Sequence, residues 1–267
     1  VALSGDGGDE HFGGYTFRYA PHVAEARIRA RLPAALRAPL FGGLHALWPR
    51  SRHLPRPLRL STIFGNLASS DGTAYAEDVS WLRRGTRLEL YTPDFIRELL
   101  GFEPGEVVQH YYAQGGGDAL SRSQRADQQT YMTDDVLAKV DRMSMAHGLE
   151  TRAPLLDHRI REFAARLPAD LKLQGGRGKL LLRALAARRL PADLITAPKR
   201  GFSINLAQWL RGSLREYARE MLFSPGSMLA GRLDPRAIEK IWKQHQGGSR
   251  DFSAIIWELL VIRSWET

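Results

Sequence analysis

The chain opens with an apolar run, Val1-Ala2-Leu3, turns polar at Ser4 and then enters a glycine-rich stretch from Gly5 to Gly8. A short apolar run bounded by turn residues predicts a short buried strand over Val1–Ser4 and a turn after it. Beyond the turn, apolar residues recur three and four apart rather than alternately, which predicts helices through most of the chain. That spacing gives helices at Ala20–Arg31 and Ala34–Trp48, split by Pro33, then at Ser61–Asn66 and Ala74–Arg83. A further helix is capped by Thr92, carries Pro93 in its first turn and runs to Leu100. Pro104–Ala113 is helical, and Gly115-Gly116-Gly117 reads as a flexible joint. Asp118 caps a helix to about Met132, and Thr133–His147 forms another, ended by Gly148. Pro154–Asp157 leads into a helix ending near Leu167 and Pro168. Gly175-Gly176-Arg177-Gly178 reads as a loop, and Lys179–Arg189 as a helix with a basic end. Ala197–Asn205 is irregular, and three amphipathic helices follow near Leu206–Phe223, Asp234–Gln246 and Phe252–Trp265. No repeat or boundary interrupts the series, so the chain reads as one helical unit flanking the edge of a sheet.

Composition changes this picture little. Of the 267 residues, 43% are hydrophobic and 25% charged, the balance of a globular protein with a sizeable core. The chain has no cysteine, which excludes disulfides, thiolate catalysis and cysteine-held zinc or iron–sulfur centres and suits a cytoplasmic protein. No apolar run is long enough to span a membrane, and no secretory signal is visible. The first residue is not Met and already reads as strand interior, so an N-terminal portion is expected elsewhere.

Charge raises one further class. The net charge is +9, and between Pro21 and Leu60 eight arginines face a single acid, Glu25. Such a stretch can mark a nucleic-acid binder. No aromatic interleaving or nucleic-acid motif accompanies it, so a solvated or partner-facing helical surface is the favoured reading.

Three stretches carry candidate chemistry, each beside a plainer reading. Asp6, Asp9 and Glu10 crowd three carboxylates around Gly5, Gly7 and Gly8. Either they make a capped structural turn, or they hold a divalent cation beside a nucleotide that the glycines let approach. Asp135, Lys139 and Arg142 recur at i, i+4 and i+7, as a solvated ladder or a substrate-reading face. His147, at the end of that helix, reads as a cap or core histidine. Lys199 sits in the rigid frame Ala197-Pro-Lys-Arg-Gly-Phe202, as a surface basic loop or an ammonium aimed at a phosphate. Lys179 is similar: its cation lies at the unfavourable end of its helix, which an anionic partner would offset.

Taken together, these stretches resemble a known family. Leu3-Ser-Gly-Asp-Gly-Gly-Asp-Glu-His-Phe-Gly-Gly-Tyr15 resembles a signature of glutamine-dependent asparagine synthetases, Ser-Gly-Glu-Gly-x-Asp-Glu-Leu-Phe-Gly-Gly-Tyr. Four more matches follow in the family's order: Lys139-Val-Asp-Arg-Met-Ser-Met-Ala-His147, Leu149-Glu-Thr-Arg-Ala-Pro-Leu-Leu-Asp157, Gly178-Lys179-x-Leu-Leu and Pro198-Lys-Arg-Gly-Phe202. The stretch Gln244–Asp251 is similar to the subset associated with exopolysaccharide and exosortase loci.

The resemblance implies an α/β fold, an adenine-nucleotide α-hydrolase-like synthetase domain of which this chain, 1–267, is the mostly helical C-terminal part. It implies ATP and Mg²⁺ as cofactors, with aspartate or another carboxylate as acceptor and glutamine as the source of ammonia. By the same resemblance, Asp9 is the magnesium ligand, and Asp6 stands, one methylene short, for a Glu that serves the activated intermediate. Ser4, Gly5 and Gly7 lie near the nucleotide, Lys199 contacts the departing phosphates, Lys179 assists, and Asp135, Lys139 and Arg142 contact substrate. A homodimer is carried as an expectation, with no membrane partner. The family's pyrophosphate loop and its cysteine-dependent glutaminase do not occur in these residues, so the chain alone is expected to be inactive. Relatives with other acceptors, which close rings or amidate sugar acids, stay open as the alternative, as does a non-catalytic basic helical binding module.

Overall fold

In the computed structural model, which describes residues 1–49, 54–196, 204–224, 226 and 229–266, the opening apolar run forms β1 (Ala2–Leu3). It pairs in parallel with β2 (Thr151–Arg152), Ala2 opposite Thr151 and Leu3 opposite Arg152. The Ser4 N–H extends the ladder by donating to the Arg152 carbonyl at 2.8 Å. A parallel pair requires a crossover, and here the crossover is a long helical series. The sequence predicts a buried strand, yet Val1 and Leu3 are exposed, because β1 has only one neighbouring strand among the described residues.

The crossover contains α1 (Gly8–Phe12), α2 (Thr16–Arg29), α3 (Ala34–Leu47), α4 (Ser61–Ala68), α5 (Asp71–Val79), α6 (Arg84–Leu90), α7 (Pro93–Glu98), α8 (Gly105–Gln114), α9 (Ala119–Gln129) and α10 (Ala138–Met145). Two predicted caps are in place: the Thr92 hydroxyl accepts from the Phe95 N–H, and the Asp118 carboxylate from the Ser121 N–H. The predicted helix at Thr133–His147 is instead a π-helix, Tyr131–Leu137, running into α10. Thr130 breaks α9 first, and its hydroxyl bonds back to the Ala126 carbonyl at 2.8 Å. His147 is exposed rather than in the core.

After β2 come α11 (His158–Arg166), the antiparallel hairpin of β3 (Leu173–Gln174) and β4 (Arg177–Gly178), α12 (Leu180–Ala186), α13 (Ala192–Thr196), α14 (Leu206–Arg211), α15 (Arg215–Phe223), α16 (Pro235–Gln246) and α17 (Ser253–Glu266). The loop predicted at Gly175–Gly178 is thus a hairpin, closed by Gly175 and Gly176 at φ 56° and 75°, where glycine is favoured. The first predicted tail helix is broken into α14 and α15 at Gly212, which adopts φ −121°, ψ −108°.

Contacts divide the chain into two compact units that no shift in composition announces. One is Val1–Ala46, Thr62–Val79 and Pro104–Lys199; the other is Leu47–Ser61, Ser80–Glu103 and Arg200–Thr267. The second unit buries Leu90, Leu210, Leu233, Ile241, Ile256 and Leu259. The first packs Tyr19, Tyr75, Tyr112 and Leu120 around buried polar and charged groups. Arg29 of the basic stretch is one of these: it is buried, 3.5 Å from Glu25 and paired with Asp71. Part of the arginine run is therefore internal structure rather than a surface for nucleic acid.

His22 is also in this core, fully buried, its Nε2 3.0 Å from the Tyr112 hydroxyl. Burial lowers its pKa from 6.5 to about 4. As pH falls, the unfolded chain takes up this proton first, so between those two values it holds more protons than the folded chain. Stability is therefore lost as pH falls through that window, by about 3 kcal/mol in total. Urea titrations of wild type and His22→Gln, from pH ~7 to ~4, are expected to show the stability gap between them closing by that amount. Parallel pH curves would remove this role for His22.

Candidate active site

The site is assembled around α1. Gly7, at φ 85°, turns the chain from β1 into the helix, and a Cβ there would collide with the Leu156 side chain. Asp9 and Glu10 occupy the first turn of α1, where the helix dipole favours carboxylates, but their surroundings differ. Glu10 is buried and accepts a 2.6 Å hydrogen bond from the Tyr15 hydroxyl. Burial raises the Glu10 pKa and the phenol pulls it back. Asp9 is partly exposed, with Oδ2 3.0 Å from Lys179 Nζ.

The β3–β4 hairpin delivers Lys179 to this point. Gly178 passes so close to Gly13 that any side chain on it would overlap the Gly13 carbonyl. The next N–H, that of Lys179, donates to the Phe12 carbonyl at 2.9 Å. Gly14 is equally constrained, since a Cβ there would fall on the Asp9 carboxylate and the Lys179 stem. Lys179 itself adopts φ 57°, a left-handed conformation that is costly for a residue with a side chain.

Three of the ordered motifs therefore meet: the opening turn, the Leu155–Leu156 segment packed beneath Gly7 and Gly8, and Gly178–Lys179. Ser4 lies at the end of β1 with its hydroxyl oxygen buried and without a hydrogen-bond partner among the described residues. Gly5 has open space on its Cβ side, and Asp6 is partly exposed, without a hydrogen bond or ion pair among the described residues. Asp135 lies in the π-helix while Lys139 and Arg142 lie in α10, so the α-helical spacing behind a shared face is interrupted. All three are exposed and form no ion pair among the described residues. Lys199 lies outside the described residues.

The donor set around α1 limits how Mg²⁺ could be held. Among the described residues no group of three or more histidines and carboxylates could enclose a metal, and the Asp9 carboxylate faces an ammonium. An all-protein cage does not fit. Asp9 as a single protein ligand in a shell otherwise made of water and phosphate oxygens is compatible with this donor set.

Sequence reasoning passed over Asp127. It accepts hydrogen bonds from Arg18 Nη1 (3.0 Å), the Tyr19 hydroxyl (2.6 Å) and the Tyr75 hydroxyl (2.7 Å), and so ties α2, α5 and α9 together. The Arg18 guanidinium also lies 5.1 Å from the ring centres of both Tyr15 and Tyr131. A continuous polar path thus runs from Glu10 through Tyr15 and Arg18 to Asp127. The available signal was periodic: Leu120, Gln124 and Asp127 share the buried face of α9, so a carboxylate stands where an apolar residue is expected.

The profile of the asparagine synthase family matches residues 1–267. The chain belongs to the asparagine synthase family. A relative from Mycobacterium tuberculosis (strain ATCC 25618 / H37Rv), provisionally named a glutamine-hydrolyzing asparagine synthetase, is 33% identical over 99% of this chain and 39% of its own length. Asparagine synthetase [glutamine-hydrolyzing] 1 of Bacillus subtilis (strain 168) is 26% identical over 100% of this chain and 40% of its own. The Gallus gallus asparagine synthetase is 37% identical over 34% of this chain and 16% of its own. This family member therefore spans about two fifths of the bacterial relatives it matches. No solved structure matches it. No helix among the described residues is long and apolar enough to cross a membrane.

Proposed function

We propose that this chain is the C-terminal portion of the synthetase domain of an ATP-dependent amidotransferase, a carbon–nitrogen ligase of adenine-nucleotide α-hydrolase-like fold. The observation that carries this reading is the convergence of the opening glycine turn, Asp9 and Lys179 in a chain whose family match is end to end. A carboxylate oxygen of the acceptor, aspartate by family resemblance, attacks the α-phosphorus of ATP. The bond to the bridging oxygen breaks and pyrophosphate leaves. Ammonia then adds to the acyl carbon, the tetrahedral intermediate expels AMP, and one proton passes to solvent as the amide forms.

The chain's residues supply charge and shape. Lys179 and Lys199 neutralise phosphate oxygens, and preorganised charge of this kind is worth about 2.7–4 kcal/mol per donor. Gly5 and Gly7 let the nucleotide approach the backbone, the Ser4 hydroxyl offers it a hydrogen bond, and Asp6 faces the activated acyl group. Lys139 and Arg142 from α10, and Asp135 from the π-helix before it, present exposed charge to substrate. Asp9 would hold Mg²⁺, which supplies Lewis-acid charge to the phosphates when bound. The glutaminase nucleophile comes from outside these residues, since the chain has no cysteine, and so does the Ser-Gly-Gly-x-Asp-Ser pyrophosphate loop, which this sequence does not contain.

The test is pyrophosphate release by the longer protein with ATP and aspartate. Lys199→Ala is expected to abolish carboxylate-dependent release while ATP binding falls less. Asp9→Asn is expected to move the Mg²⁺ titration to higher concentration. Unchanged turnover in the first variant, or an unaltered titration in the second, removes the assigned role.

A further inference from the structure

A second site lies on the other face of α1. Asp9 and His11 are two residues apart, about 200° around the helix axis, so they face different surroundings. His11 lines a cavity of about 530 Å³ walled by α9, α11 and the Gly115–Gly117 segment, a volume suited to a metabolite. Three of its lining side chains are polar yet almost wholly buried: His11 at 2% exposure, Lys172 at 2% and Gln124 at 3%.

Their hydrogen bonding among the described residues is incomplete. Lys172 Nζ donates to Gln124 Oε1 at 3.1 Å and pairs with no carboxylate among the described residues. That bond sets the amide orientation and leaves Gln124 Nε2 without an acceptor. His11 Nδ1 donates to the Leu155 carbonyl at 3.0 Å, which leaves its Nε2 buried and unpartnered. Burial lowers the Lys172 pKa, and the nearest opposing influence is Asp118, the cap of α9. A core selected for stability alone would place apolar side chains here, because an unpaired buried cation and two orphaned polar atoms are each costly. The outer wall continues the pattern: Arg125 and Arg161 line the cavity, against the single carboxylate of Glu162.

We propose that this cavity binds a small metabolite through an oxyanion, a carboxylate or a phosphate. Lys172, the Gln124 amide and the two guanidiniums donate to the oxyanion, and His11 Nε2 accepts from a hydroxyl or ammonium of the same molecule. The glycine segment offers backbone without side-chain obstruction, since a Cβ on Gly116 would meet open space. The inference does not depend on the ligase reading.

The test is thermal unfolding and titration calorimetry of the longer protein, wild type beside Lys172→Met so that the difference between them is read, with inorganic phosphate and, separately, with L-glutamate. Sodium chloride of equal ionic strength is the control. The midpoint is expected to rise with ligand concentration, as mass action requires. A response to phosphate alone assigns a phosphate-bearing ligand, and a response to glutamate alone a carboxylate. Lys172→Met is expected to weaken binding about 10- to 100-fold. Should that variant fail to fold, Arg125→Ala, at the partly exposed wall, is expected to weaken binding without loss of structure. No response beyond the chloride control overturns the proposal, as does undiminished binding in either folded variant.

Discussion

Asp127→Ala is expected to destabilise the unit that contains α1, α2, α5 and α9 by about 3–5 kcal/mol, the loss typical of removing one member of a buried ion pair. Asp127 is 1% exposed, and its two oxygens serve one guanidinium and two phenols. Truncation removes all three hydrogen bonds at once. Arg18 is left as an uncompensated cation held over the Tyr15 and Tyr131 rings, and Tyr19 and Tyr75 keep buried hydroxyls without their partner. Asp127→Asn keeps the size and one acceptor oxygen but loses the charge, so its loss should be intermediate. Urea denaturation of the two variants checks this, with Asp134→Ala at an exposed position as a control expected within about 0.5 kcal/mol of wild type. If Asp127→Ala costs no more than the control, the network does not hold these helices together.

Lys179→Gly is expected to separate activity from stability. Two features oppose a lysine at this position: a left-handed backbone, and a cation at a helix N-terminus. Glycine relieves the first at once, a gain of about 1 kcal/mol. The lost pair with Asp9 is partly solvated, with side chains 31% and 23% exposed, so it offsets that gain by at most about 1 kcal/mol. Stability should therefore stay within about 1 kcal/mol of wild type. Turnover in the longer protein is expected to fall about 10²- to 10³-fold if, as proposed, Lys179 is one preorganised donor to the phosphates. Lys179→Arg should restore only part of it, since the lysine stem passes close to Gly14 and carries a compact point charge that a planar guanidinium does not reproduce. Unaltered turnover in Lys179→Gly would leave the lysine with a structural role alone, and a collapse in stability would show that the hairpin crossing depends on it.

Much of the helical framework is legible in the sequence, because caps and periodicity are local signals. Thr92 and Asp118 act where their types and spacing predict. Misreadings cluster where a distant contact decides. The strand at Thr151–Arg152 is too short to carry a pattern and exists because β1 lies beside it. The π-helix at Tyr131–Leu137 follows a break at Thr130 that apolar spacing does not register. Asp127 and Lys172 were overlooked for one reason: a charged residue inside an amphipathic helix or a short turn reads as exposed until its partners, up to 109 residues away, are known.

By itself the sequence determined the helical class, the turn chemistry of residues 4–15 and the order of the motifs that place this chain in its family, since each rests on neighbouring residues. Only the tertiary structure decided that Asp9 faces Lys179 across a glycine crossing, that Asp135 is separated from the α-helical run of Lys139 and Arg142, and that His11 and Lys172 share a cavity wall. Those facts depend on which segments the packed core brings together, and the energy of a close approach is not encoded at either of its ends alone.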